Sequence, residues 1–270
     1  MKLFIVDAFT SIPFSGNPAA VCVMDKWISD DLMKMVAMEC NLSETAFVVN
    51  GEDGYSLRWF TPVEEVDLCG HATIAAAAVI LRFFDPSANA VKFNTKSGVL
   101  TVKKTDNRYE MYLPRVKQHE VPVTDEMEKA FGARPVKALL GLDLVCVFEN
   151  EEQVRKLTPN QKLLANLDGR IQNATARGVT AECVSRSFAP KLGIAEDPVC
   201  GSAHIQIAEY WAVELFDNEI TAYQASKRGG FLTCKLVDDN KIAISGEAVL
   251  VMTSEVVANL DYFDREIEMY

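Results

Sequence analysis

Two hydrophobic patterns alternate along the chain. Short runs rich in β-branched and aromatic residues predict strands, because such side chains suit a pleated, half-buried surface. These runs are Leu3–Phe9, Ala19–Met24, Thr45–Val49, Tyr55–Phe60, Val91–Asn94, Leu100–Lys104, Arg108–Leu113, Leu232–Val237 and Ile242–Ser245. Apolar residues at helical spacing predict a helix over Ser29–Glu39. Asp106-Asn107 and Asp238-Asp239-Asn240 separate neighbouring runs and predict turns.

Two further segments are apolar on nearly every side. They are Ala72–Phe84 and Ala203–Phe216, and each follows a Cys-Gly pair. A helix without a polar face must be buried. The pattern therefore predicts a strongly curved sheet wrapped around one buried helix, and it predicts this arrangement twice.

An internal duplication explains the repetition. Three segments recur in the same order at separations of 128, 131 and 132 positions. The pairs are Arg58–Pro62 with Arg186–Pro190, Cys69–Ile74 with Cys200–Ile205, and Gly98–Lys103 with Gly230–Lys235. We predict an α+β protein of two pseudo-symmetric halves, residues 1–116 and 117–270, each a barrel-like sheet around a central buried helix. The last strand is free to pack back on the N-terminal half.

Charge and composition exclude several classes of function. The 270 residues contain 27 Lys and Arg against 38 Asp and Glu, a net charge of -11 that disfavours nucleic-acid binding. Asp7 interrupts the first apolar run, which does not have the layout of a signal peptide, and Ala72–Phe84 is shorter than the ~20 residues of a membrane span. Seven cysteines without a CxxC pair are typical of a reducing compartment. We expect a cytoplasmic protein without membrane contact.

The histidines give no metal motif. His71, His119 and His204 are far apart in sequence and lack an HExxH or Cys/His pattern. Walker and GxGxxG loops are absent from the sequence as well. The sequence therefore predicts chemistry without a metal or a cofactor.

The starts of the two buried helices are candidate anion sites. Gly70 and Gly201 leave backbone N–H groups open there, and the helix dipole favours a negative charge. If the halves face each other, both helix starts converge on one cleft and hold a substrate carboxylate. Tight strand-to-helix turns are the alternative role of these glycines. His71 and Ser202 occupy equivalent positions, where they bind substrate or cap the helix.

Three other polar residues are candidates for the site. Asp197 has Val66 at its equivalent position, so the duplication is broken there; a simple Asp-Pro turn is the alternative. Glu44 stands at the edge of the Thr45–Val49 strand, where burial would raise its pKa and make it a general base, unless it is an exposed capping residue. Asn17 lies in a predicted Gly-Asn-Pro turn and is a weaker candidate for substrate contact.

Five ordered motifs together resemble the phenazine-biosynthesis PhzF-like family over nearly the whole length. They are Asp7–Thr10, Phe14–Val21, Asn41–Thr45, Cys69–Thr73 and Glu196–His204. The resemblance implies a diaminopimelate-epimerase-like fold, a homodimer, and a cofactor-free isomerase that moves a proton on a small carboxylate-bearing substrate. It implies Glu44 as the catalytic acid and base, with His71, Asp197 and Ser202 at substrate-contacting positions. The founding reaction of that family isomerises dihydro-hydroxyanthranilate, but the resemblance does not carry this substrate over.

Two other hypotheses remain open. Related epimerases and proline racemases use a cysteine before each helix as two opposed bases, and this chain has Cys69 and Cys200 there. A non-catalytic binding protein with the same fold is the second alternative. The form of the motifs, Cys-Gly-His-Ala and Cys-Gly-Ser-Ala, and the retained Glu44 favour the carboxylate mechanism.

Overall fold

The structure, a computed structural model, describes residues 1–51 and 54–257. Strands dominate the first part of the chain, and two helices interrupt them. The elements are β1 (Lys2–Ala8), β2 (Asn17–Met24), α1 (Asp30–Cys40), β3 (Thr45–Gly51), β4 (Gly54–Phe60), β5 (Glu65–Val66), α2 (Gly70–Val79), β6 (Ala90–Thr95), β7 (Gly98–Thr105) and β8 (Arg108–Pro114). A π-helical turn over Ile80–Phe84 follows α2.

The second part of the chain adds three short helices before its own long one. Its elements are β9 (His119–Val121), α3 (Asp125–Phe131), β10 (Lys137–Leu140), β11 (Leu144–Val147), α4 (Glu151–Lys156), α5 (Gln161–Leu164), β12 (Gln172–Arg177), β13 (Cys183–Ala189), β14 (Ile194–Asp197), α6 (Ala203–Leu215), β15 (Glu219–Gln224), β16 (Gly230–Leu236) and β17 (Lys241–Glu255).

These elements form two compact units that exchange chain segments. Among the described residues, unit 1 contains Met1–Phe14, Pro18–Met111 and Glu247 to Val257. Unit 2 contains Tyr112–Gly246 and the short segment Ser15–Asn17. β17 therefore contributes its first residues to unit 2 and its later residues to unit 1.

Unit 1 wraps its sheet around α2. In this sheet β2 runs parallel to β3, β3 antiparallel to β4, β4 parallel to β6, and β6 antiparallel to β7. Every residue of α2 from His71 to Val79 is buried, and the helix contacts β1, β3 and β7. Its many alanines carry no long side chain, which lets strands approach it closely on several sides. The predicted all-round burial of this helix is confirmed.

Unit 2 repeats the same order of strand pairing around α6. β11 runs parallel to β12, β12 antiparallel to β13, β13 parallel to β15, and β15 antiparallel to β16. α6 packs against β15 and β16. The predicted pair of similar halves, each with a sheet around a buried helix, is therefore confirmed.

A half-buried ion pair between an arginine and a glutamate repeats with the strands. Arg58 in β4 donates to both carboxylate oxygens of Glu65, at 2.7 Å each. Arg186 in β13 donates in the same way to Glu196, at 2.8 and 2.9 Å. Each bidentate pair ties the end of one strand to the short strand after it, which shows that the duplication reaches side-chain contacts.

Both predicted turns are present. Thr105 pairs with Arg108, so Asp106 and Asn107 form the first turn as predicted. In the second turn, the carboxylate of Asp238 accepts from the backbone N–H groups of Asn240 and Lys241 at 2.8 and 2.9 Å. The helix predicted over Ala72–Phe84 is α-helical only to Val79 and closes with the π-helical turn. No helix among residues 1–51 and 54–257 is long and apolar enough to cross a membrane.

Candidate active site

Unit 1 brings three functional side chains together at the start of α2. Glu44 lies directly before β3, Cys69 precedes α2, and His71 is the second residue of that helix. Oε2 of Glu44 is 3.4 Å from Nε2 of His71, and Sγ of Cys69 is 3.5 Å from Nδ1 of the same ring. The imidazole therefore stands between a carboxylate and a thiol.

The backbone around Cys69 is fixed by the helix that follows. Cys69 has an extended conformation, and its carbonyl oxygen accepts hydrogen bonds from the backbone N–H of Thr73 at 3.1 Å and from its hydroxyl at 2.5 Å. These bonds satisfy the carbonyl at the turn into α2 and hold the Cys69–His71 segment in place.

Burial keeps the imidazole of His71 neutral. The side chain is 7% exposed, and desolvation lowers the pKa of His71 to about 4. Glu44 is 15% exposed, so it is neither a free surface carboxylate nor fully enclosed. The contact of His71 with Cys69 is a hydrogen bond, whereas the 3.4 Å approach of Nε2 to Oε2 of Glu44 is a close contact without hydrogen-bond geometry.

The same three side chains offer nitrogen, oxygen and sulfur donors. One atom from each of Glu44, Cys69 and His71 lies within 4.8 Å of the others, a spacing that could hold a metal ion. The two neighbours of His71 face different ring nitrogens, and a metal ion binds only one of them. Coordination by all three side chains would therefore require one of the existing contacts to open.

In unit 2, Asp197 lies at the end of β14 and is held from two sides. Nδ2 of Asn17 donates to Oδ1 of Asp197 at 2.8 Å and to the carbonyl of Val199 at 3.0 Å. The backbone N–H of Val199 donates to the same carboxylate oxygen at 3.1 Å. Burial raises the pKa of Asp197 to about 6, and the thiol of Cys200 opposes this shift by donating to the carboxylate.

Asn17 reaches Asp197 because its own segment is docked in unit 2. The guanidinium of Arg228 donates to the carbonyl oxygens of Gly16 and Ser15, each at 2.8 Å. The predicted contact of Asn17 with substrate stays a prediction; the contact that the structure contains is the one with the Asp197 carboxylate.

The start of α6 differs in chemistry from the start of α2. Gly201 lies in the turn before α6, and Ser202 precedes the helix without capping it. Instead, Oγ of Ser202 is 3.2 Å from Nη2 of Arg170 and 3.5 Å from Sγ of Cys200. Burial, with Asp197 as a second cause, raises the pKa of Cys200 well above its ordinary value.

His204 is a structural residue rather than a member of a reactive cluster. Its Nδ1 is 2.7 Å from the carbonyl oxygen of Cys200, and its Nε2 is 2.9 Å from Oγ of Ser185. Thr73 holds the carbonyl of Cys69 in the same way in unit 1. The two residues occupy equivalent positions of the duplication and fix equivalent turns.

Sequence patterns did not indicate Arg170 and Asp143, which support Ser202. Neither residue belongs to a motif or to the repeated segments. Asp143 is 1% exposed and accepts from Nε of Arg170 at 3.2 Å. A possible sequence signal was the Asp-Gly-Arg turn at 168–170, in which a charged residue follows a glycine directly before a strand.

The arrangement of each unit, with a Cys-Gly turn before a buried helix inside a curved sheet, defines an epimerase-type fold. A solved hydroxyproline epimerase from Agrobacterium vitis, with bound trans-4-hydroxy-L-proline, matches 95% of this chain and 90% of its own. The TM-score is 0.60 at 10% identity, which shows the shared fold alone.

Closer relatives identify the family within this fold. Residues 6–254 match the PhzC-PhzF model, described as phenazine biosynthesis-like protein. An uncharacterized isomerase from Pseudomonas aeruginosa is 46% identical over 252 residues, 93% of this chain and 96% of the relative. A PhzF-family crystal structure from Enterococcus faecalis has 44% identity and a TM-score of 0.92, covering 95% of this chain and 99% of that one. The chain belongs to the phenazine biosynthesis-like PhzC-PhzF family and is an isomerase.

Proposed function

We propose that this isomerase shifts a proton on a small carboxylate-bearing substrate, with Glu44 as the general acid and base and without a metal or cofactor. The observation that carries the proposal is the contact between Glu44 and the buried, neutral imidazole of His71. A carboxylate beside a neutral imidazole keeps its negative charge available to a substrate C–H, whereas a cationic partner would hold it in an ion pair.

Glu44 both removes and returns the proton in the proposed reaction. The carboxylate accepts a proton from an acidic carbon and leaves an enol-like anion. The resulting carboxylic acid returns the proton to a different carbon of the same molecule, so that no electrons are gained or lost. Hydrogen-bond donors placed where charge develops stabilise the intermediate, and this contribution is commonly the largest in such catalysis.

Asp197 is a further candidate for proton transfer, with a protonation range of its own. With a pKa of about 6, Asp197 is partly protonated near neutral pH and serves as a hydrogen-bond donor or proton donor to substrate oxygen. Ser202 and the open backbone N–H groups at Gly70 and Gly201 are the proposed substrate contacts at the two helix starts.

A two-cysteine racemase is the second candidate. It is favoured by the position of Cys69 and Cys200 before α2 and α6. The raised pKa of Cys200 argues against it, because a protonated thiol is a poor base near pH 7.

Deuterium incorporation in D2O separates these mechanisms. The wild-type protein is incubated with a panel of small carboxylic acids, including cyclic amino acids, and exchange is followed by NMR. Glu44→Gln keeps the shape of the side chain but removes the base, so we expect exchange to fall by about 10² to 10⁴-fold. Cys69→Ser and Cys200→Ser, assayed in parallel, are expected to lose less than Glu44→Gln.

Glu39→Gln is the matched control, since Glu39 is an exposed carboxylate on α1. Exchange that survives Glu44→Gln and disappears in both cysteine variants would assign the reaction to the thiols. Absence of exchange across the whole panel would favour a binding protein. Dialysis against EDTA is expected to leave the rate unchanged; a loss that Zn²⁺ restores would make Glu44, Cys69 and His71 a metal site.

A further inference from the structure

Arg170 and Asp143 form a charged pair in unit 2 that is built more firmly than a surface ion pair. Nε and Nη2 of Arg170 donate to the two carboxylate oxygens of Asp143 at 3.2 and 3.4 Å. Asp143 is 1% exposed, and its Oδ1 also accepts the backbone N–H of Ile171 at 3.1 Å. A buried carboxylate therefore fixes one edge of the guanidinium.

The backbone on both sides of this pair is also fixed. The side-chain oxygen of Gln206 accepts the backbone N–H of Asp143 at 2.7 Å, and the amide nitrogen of Gln206 donates to the carbonyl of Asp143 at 3.2 Å. Gly169 has a φ of +79°, and a Cβ there would lie 2.4 Å from the backbone nitrogen of Leu144. Only glycine permits this close approach, which delivers Arg170 to Asp143.

The other edge of the guanidinium has N–H groups that remain available to a ligand. Nη2 donates to Oγ of Ser202 at 3.2 Å, and within the described part of the chain Nη1 has no hydrogen-bond acceptor. The side chain of Arg170 is 39% exposed, so this edge is accessible. Arg170 thus presents the N–H groups of Nη1 next to the serine hydroxyl that accepts from Nη2.

We infer that Arg170, held by Asp143, forms with Ser202 a carboxylate-recognition subsite for the substrate. The inference deepens the proposed function and rests on it for the class of substrate. An N–H of Nη1 and the hydroxyl of Ser202, which accepts from Nη2 and can itself donate, match the two oxygens of a carboxylate. Charge-assisted hydrogen bonds of this kind are about twice as strong as neutral ones. Because Asp143 balances the charge of Arg170, the subsite selects by directed hydrogen bonds rather than by net charge.

Binding of an acid and of its amide measures this recognition without turnover. The probes are benzoate with benzamide and L-proline with L-prolinamide, titrated by calorimetry. We expect the wild-type protein to prefer each acid and Arg170→Ala to reduce that preference at least about tenfold. Arg170→Lys keeps the charge but loses the planar group that contacts Asp143, Ser202 and the ligand at once, so its preference should be intermediate.

A second variant protects the test against misfolding. Arg170→Ala leaves Asp143 as a buried unpaired carboxylate, which destabilises the fold, whereas Arg170→Ala with Asp143→Asn removes both charges. The double variant is expected to remain folded and to lose the preference for the acids. Arg134→Ala is the control, because Arg134 is an exposed arginine paired with Asp125 and Glu128.

The inference is overturned if the double variant retains the wild-type preference, or if the wild-type protein binds the acids no better than the amides, including no binding of either. In the first case the pair serves the fold alone. Failure of the Glu44 proposal is seen in the exchange assay and does not change these binding data, so the two outcomes are distinguishable.

Discussion

Burial shifts the pKa values of His71 and Asp197 in opposite directions. It lowers the pKa of His71 to about 4 and raises that of Asp197 to about 6, because desolvation disfavours the charged form of each group. Between these values, folding costs His71 a proton that the unfolded chain would bind. Asp197, in contrast, retains in the folded state a proton that the unfolded chain would release.

The two residues therefore give stability opposite dependences on pH. As pH rises from about 4 to about 6, the Asp197 contribution to stability falls, since the folded state binds the extra proton. Over the same range the contribution of His71 to stability increases with pH, since the unfolded state binds the extra proton.

Asp197→Asn is expected to remove the first of these dependences. Asparagine still accepts from Asn17 but has no charge to desolvate, so the variant should gain stability over the wild type as pH rises from 4 to 6. The gain is up to about 2 kcal/mol, reduced because Asp197 is only half-buried. Urea unfolding at several pH values measures it. Besides Cys200, the charged groups acting on Asp197 are Arg170 and Glu196.

Two further variants serve as controls for this measurement. Asp31→Asn, on the exposed start of α1, should show the pH dependence of the wild type. His71→Gln should change the slope with the opposite sign. An Asp197→Asn curve parallel to the wild type would contradict the raised pKa.

At the residue scale, sequence motifs identified Glu44, Cys69 and His71 separately, but their convergence on one imidazole required the fold. Helix capping, which the sequence allowed for Ser202, is not the contact that its hydroxyl makes. Arg170 was not predicted, because its orientation depends on Asp143, which is 27 residues away in sequence. It also depends on the geometry of a turn that residue spacing does not reveal.

At the element scale, α2 and α6 occupy equivalent positions in their units but differ in how completely they are buried. α2 is buried along its length, whereas α6 leaves Val213 exposed on its outer side. A helix enclosed on all sides tolerates little change in volume, because the surrounding strands cannot move independently.

Ala76→Leu is expected to destabilise the protein by about 1 to 3 kcal/mol, because Ala76 is fully buried at the centre of α2 and a larger side chain overpacks the barrel. The free energy of unfolding in urea measures this cost. Val213→Leu, an enlargement at an exposed helical position, should stay within about 0.5 kcal/mol of the wild type. Equal effects of the two variants would contradict the enclosure of α2.

Element types were predictable where local pattern and duplication agreed. Tyr55–Phe60 is β4 within one residue, and Thr45–Val49 lies inside β3. The π-helical turn at Ile80–Phe84 was not predictable, since its residues continue the apolar pattern of α2. The short helices α3 to α5 received no prediction, because they fall outside the repeated segments.

At the scale of the whole molecule, the chain completes unit 1 with its last described strand. β1 pairs antiparallel with β17 from Lys2 opposite Glu255 to Ala8 opposite Ala248. Unit 1 therefore combines the first and the last described parts of the sequence, which local sequence patterns do not encode. The sequence allowed the last strand to pack on the N-terminal half, but its register with β1, between residues some 250 positions apart, required the coordinates.

A chain that stops after Gly246 is expected to lose unit 1 while unit 2 keeps its sheet. The truncation leaves one edge of β1 without its partner, so amide hydrogen exchange should lose protection in β1 and in the strands around α2. A chain that stops after Val257 is the control, because it retains every residue paired with β1. Unchanged protection of β1 in the shorter chain would refute the dependence.

The exchange of segments also sets the order in which the molecule can be built. During synthesis, the residues of unit 2 leave the ribosome before β1 meets its partner in β17. β1 is synthesised before the other described strands, and the edge that pairs with β17 stays open to misassociation until β17 has been made. The N-terminal unit, which carries Glu44, is thus the last to be completed.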